Sequence, residues 1–156
     1  MDKVGNRMDV PLNKVLSARG TLIVGGETYR AYCIFLQGQW QEARDLLIRE
    51  HFAIYFAARR NVTTDKIVTE IYAALGLEKP GDYMASHQGI VTQAVERRVD
   101  GYLAQLERFR QSGYVETETI RMSRQGENYI MRSCGENKVA ALAALGHAVM
   151  PGVVVV

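Results

Sequence analysis

Val91, Val95, Val99, Tyr102, Leu106 and Phe109 follow one another at intervals of 4, 4, 3, 4 and 3 residues. A helix turning once in about 3.6 residues brings such positions onto one face, so a long amphipathic helix is expected between Ser86 and Ser112. Gly113 tolerates the positive φ that stops a helix. Beyond it, "YVETETIRM" and "ENYIMRS" read as antiparallel strands turning around Ser123–Gly126. Helix, glycine stop and hairpin constrain the fold more than any other feature. One point stays open: a break near Glu96–Arg98 would split the helix in two, although no Gly or Pro marks it.

The remaining segments give an α+β, mainly helical chain with an N-terminal β-hairpin and a C-terminal helix. Residues 1–19 are polar and mixed, punctuated by Pro11 and Gly20. They are expected to form an N-terminal arm before a single globular domain at 20–156. "TLIVGGETYRAYCIFLQG" places β-favouring residues on both sides of Gly25-Gly26, which predicts hairpin strands near 21–24 and 28–36. From Gln39 to Arg60 a helix is expected, amphipathic through Trp40, Ala43, Leu46 and Leu47. Its second half, "FAIYFAA", is apolar nearly all round, as in a buried or dimer-forming segment. "NVTTDKIVTEIYAALG" predicts another helix, capped by Thr63 or Thr64 and stopped by Gly76, with "LEKPGDYMA" as a loop. A last helix is expected in 137–149, capped by Ser133 or Asn137. The "VVVV" after it would be an aggregation hazard unpaired, so it should join a sheet edge or a partner.

Composition narrows the class. With 47% hydrophobic and 23% charged residues, the chain can bury a real core. No run of 18 apolar residues suggests a membrane span. The opening "MDKVGNRMDVPLNKV" lacks the apolar stretch of a signal peptide. Two distant cysteines, Cys33 and Cys134, suit a reducing cytoplasm. A net charge of +2 and a pI near 8.6 permit nucleic-acid binding without demanding it.

The passage Leu106-x-x-Phe109-x-x-x-Gly113-Tyr114-Val115 resembles the end of the third helix and the start of the wing in winged helix-turn-helix DNA-binding domains. The resemblance covers roughly Thr63 to Arg132. It makes 63–75 the first helix, the region after Ser86 the second and third, and 114–132 the wing. It implies a homodimeric, sequence-specific transcriptional regulator of duplex DNA. The helix face opposite the apolar stripe offers Gln93, Arg97, Ala104 and Arg108, with Asp100 and Gln111 also on it. The wing offers Arg121, Arg124, Gln125 and Arg132. Arginine and glutamine are residue types that meet phosphates and base edges. An ordinary solvated face is the alternative, since seven Arg stand against six Asp and Glu from Ala94 to Gly135. On the DNA reading, binding is expected to weaken when Arg97 and Arg124 become alanine. The dimer contact is expected at Phe52–Ala58 or at 137–149.

No catalytic constellation accompanies these surfaces, so no enzyme and no cofactor is expected. His51, His87 and His147 are scattered, with no zinc-binding spacing. "VGGETY" lacks the Lys-Ser/Thr of a phosphate loop and is expected to precede a strand. Cys134, just before a helix start, is the residue to test as a reactive thiol, though a small strand-end residue is the plainer account. A non-enzymatic protein-interaction module, such as an accessory or inhibitor subunit, stands as the second reading. A ligand-binding or redox-sensing protein is the third.

Overall fold

The computed structural model describes residues 6–59 and 88–156. The helix expected at 63–75 and the loop after it lie outside the described residues. Five strands, β1 (Asn6–Pro11), β2 (Val15–Leu16), β3 (Arg121–Gln125), β4 (Asn128–Met131) and β5 (Val149–Val155), form one mixed sheet in the order β1-β5-β3-β4-β2. Four described helices, α1 (Glu27–Leu36), α2 (Trp40–Arg59), α3 (Gln88–Ser112) and α4 (Glu136–Ala144), accompany it. None of them is long and apolar enough to cross a membrane.

β1 and β2 occupy opposite edges of the sheet, yet only the 3-10 turn Leu12–Lys14 separates them. Such a turn advances about 2 Å per residue, whereas the edges of a flat five-stranded sheet lie about 19 Å apart at about 4.8 Å per strand. The sheet is therefore strongly coiled, its edges drawn toward each other at this turn. Leu12 N–H donates to the Ala148 carbonyl just before β5 at 3.0 Å, which fixes the turn against the sheet.

One apolar cluster joins the sheet to the helices. Met122, Tyr129 and Met131 of the β3–β4 hairpin share it with Val95, Val99, Leu106 and Phe109 of α3. Val139, Ala140 and Leu142 of α4 and Ala31 and Tyr32 of α1 also belong to it. The six-residue stripe of the sequence thus points inward over its described part, with Val95, Val99 and Leu106 fully buried. α3 is one helix without a turn at Glu96–Arg98. Gly113, at φ 83°, ends it with its N–H on the Phe109 carbonyl at 2.9 Å, and Tyr114 folds back edge-to-face on Phe109.

Several expectations are corrected. The N-terminal hairpin is absent among the described residues: residues 28–36, expected as a strand, lie in α1 (Glu27–Leu36). Gly25 (φ 97°) turns the chain and Gly26, in extended backbone, is the N-cap. The aromatic and β-favouring residues of this segment are tolerated in a helix because Ala31 and Tyr32 are buried in the shared core, which outweighs intrinsic preference. Asn6–Leu16, read as part of an irregular arm, supplies β1 and β2. The strand read from Tyr114 begins only at Arg121. The residues before it are held from outside the ladder, Glu116 by Arg7 and both Thr117 and Glu118 by the buried Lys138. The last helix stops at Ala144, and its N-cap is Gly135 rather than Ser133 or Asn137. Ser133 Oγ instead accepts from Arg121 N–H at 2.9 Å. The valine run does join the sheet, but as an inner strand paired on both sides rather than at an edge.

Candidate nucleic-acid interface

The eight residues nominated on α3 and the hairpin, Gln93, Arg97, Ala104, Arg108, Arg121, Arg124, Gln125 and Arg132, are all exposed. Their cations differ from several others in the chain. Arg7, Arg30, Arg44, Arg110 and Lys138 each meet a carboxylate. None of the five nominated arginines meets one among the described residues. The acids that would have neutralised the helix face are engaged elsewhere. Asp100 accepts from Arg44 of α2 at 2.8 Å, and Glu107 is held by Arg110 and Gln111, with its carboxyl below the ordinary range chiefly through the Arg110 hydrogen bond.

Strand register divides the hairpin arginines. Met122 pairs with Met131 and Arg124 with Tyr129. Met122, Tyr129 and Met131 belong to the core cluster, so Arg124 rises from the core-side face, its guanidinium carbon 5.4 Å from the Tyr129 ring centre. Arg121, Ser123 and Gln125 alternate onto the other face, together with Asn128, Ile130 and Arg132. Arg132 N–H donates to the Arg121 carbonyl at 2.9 Å, so the two arginines stand directly opposite each other. Arg132 Nε also donates to Ser123 Oγ at 3.1 Å. The same row continues across the sheet through Val154, the parallel partner of Arg121, to Arg7, the antiparallel partner of Val154.

The α3 stripe and the Arg121–Arg132 pair do not converge. Both elements bury their inner faces in one core cluster, so these outer faces point away from it with the core between them. α4, considered as a dimer contact, buries Val139, Ala140, Ala141 and Leu142 within its own chain. The side chains of Phe52–Ala58 lie outside the described ones.

Comparison of the chain with family models, curated proteins and solved structures finds no match.

A second feature escaped the sequence reading. Between the Ser17–Thr21 turn, the start of α1, the middle of α2 and the start of α4 lies a cavity of about 200 Å³ lined by Ser17, Thr28, Glu50, His51, Glu136 and Asn137 among others. His51 stacks on Tyr102 of α3, ring centres 5.3 Å apart. Burial, and secondly the charge of Arg98, push its pKa down to about 4, so it is neutral at physiological pH. A strand over 28–36 conceals this arrangement, because the cavity exists only where the N-termini of α1 and α4 approach α2. Glu136 already accepts from Ala18 N–H and Glu27 from Arg30. Cys134 and His147 are exposed. Among the described residues no three His, Cys, Asp or Glu side chains group as a metal site.

Proposed function

We propose that this protein is a non-enzymatic regulator that binds duplex DNA, with the β3–β4 hairpin as its wing. The single observation that carries the reading is that, among the described residues, no carboxylate meets Arg97, Arg108, Arg121, Arg124 or Arg132, while Arg7, Arg30, Arg44, Arg110 and Lys138 pair with acids. Exposed guanidinium groups that meet no carboxylate among the described residues are suited to phosphate oxygens, and a net charge of +2 does not repel a polyanion. With α3 unbroken, the resemblance to a winged helix rests on the helix–glycine–hairpin passage alone, and no helix-turn-helix is formed within Gln88–Ser112. Fluorescence anisotropy of a labelled random-sequence duplex, titrated with protein at low salt and again at rising salt, tests the reading. Binding that weakens steeply with salt supports it, and a duplex left free at low salt sinks it.

The second reading, a protein-interaction module, draws on the same unbroken helix. Gln93, Arg97, Ala104 and Arg108, with the open position of Gly101, give α3 an exposed, partly small-residue stripe of the kind a partner helix packs against. Trp40 adds an exposed aromatic next to Phe35 and Leu36. Light scattering after gel filtration separates monomer from homodimer. A stable homodimer abolished by Ala104→Arg, with no DNA binding, is the outcome that favours this reading over the first.

A further inference from the structure

β3 and β4 form a two-stranded ribbon whose β3 edge is unpaired from Ser123 to Gln125 among the described residues. β5 accompanies β3 only at Arg121 and Met122, and β2 accompanies β4 only at Tyr129 and Ile130. The ribbon closes through a two-residue turn whose first residue, Gly126, takes φ 62°, as turns matching the strand twist require. On the face away from the core cluster stand Arg121, Ser123 and Gln125, then Asn128 and Arg132 on the return, around Ile130, which is itself buried. Arg121 and Arg132 are opposite neighbours, an arrangement that weakens a ladder unless something negative sits over it. Glu127 in the turn is the ribbon's acid, set against three arginines.

We propose that this outer ribbon face, rather than the α3 stripe, is the DNA-contacting surface. Arg121 and Arg132 grip backbone phosphates, with Ser123 holding Arg132 in place. Gln125 and Asn128, at the tip, reach base edges in the major groove, which is wide enough to admit a two-stranded ribbon. Duplex DNA is the partner. Single strands are gripped by stacking on exposed aromatic rings, whereas the ribbon's aromatic, Tyr129, is buried on the other face. The major groove of duplex RNA is too narrow for side chains to read. The inference rests on the DNA reading above and adds the surface and the manner of contact.

The test compares two double variants of the full chain, R121A/R132A and R97A/R124A, by anisotropy against labelled duplex DNA, the matching single strand and duplex RNA. Thermal melts accompany each variant to establish that it is folded. R121A/R132A is expected to weaken duplex binding tenfold or more and to lower the salt slope by about 2, one for each phosphate no longer neutralised. R97A/R124A, which removes cations outside the ribbon's outer face, is expected to weaken binding by less than R121A/R132A does. Should R97A/R124A lose binding while a folded R121A/R132A keeps it, the inference is overturned and the DNA reading stands. Tighter binding to single strand or duplex RNA also overturns it. A wild-type protein that ignores duplex DNA overturns the reading beneath it.

Discussion

Arg121 and Arg132 face each other across a ladder that would be more stable without one of them. Arg121→Thr, which keeps β preference and removes the repulsion, is expected to stabilise the fold by about 0.5 kcal/mol while weakening duplex binding. Urea midpoints and anisotropy on the same preparation check the opposite signs, and a variant that loses both stability and binding contradicts the assignment. His51 makes a second prediction. Its folded pKa of about 4 lies below the 6.5 of an unfolded histidine. Between those values the unfolded chain takes up the proton and the folded one does not, so stability falls as pH drops through that window and is flat above it. His51 accounts for roughly 2–3 kcal/mol of that loss. His51→Gln is expected to remove that share of the slope, read as the difference between wild-type and variant urea midpoints at neutral pH and near pH 4.5.

At the scale of elements, α3 decides most. Leu106→Ala empties a fully buried position in the shared cluster and is expected to destabilise by about 2–5 kcal/mol. Amide hydrogen exchange should show continuous protection through Glu96–Asp100. A fast-exchanging gap there would mean a turn after all. Legibility in the sequence followed the range of the interactions involved. α3 and the β3–β4 hairpin were readable because periodicity, the Gly113 stop and the turn at Gly126 are local signals. α1 was not, because "ETYRAYCIFL" carries strand-favouring residues and becomes helical in contact with α2 and with the distant α4. β1 and β2 were missed for the same reason, since their partners β5 and β4 are more than a hundred residues away. The nominated arginines were found as exposed residues. Their division between two faces of the hairpin needed the register, and so did the opposition of Arg121 to Arg132.

For the whole molecule, the coiled sheet is the organising feature. Arg7 illustrates its reach, bonding Glu116 and the Gly152 carbonyl 145 residues away. β5 lies between β1 and β3, so it is the strand without which the sheet separates into the lone strand β1 and the three-stranded piece β3-β4-β2. Removing Val149–Val156 is expected to abolish cooperative unfolding, monitored by circular dichroism during a urea titration. A truncated chain that still melts in one sharp transition would show that the helices hold the fold by themselves. The position of β5 also sets a timetable. On a ribosome, β1 emerges well before β5 and waits unpaired until the strand that separates it from β3 has been made. Pairing across such distances is slow to close, so this chain should acquire its sheet late and depend, while it waits, on whatever shields its unfinished edges.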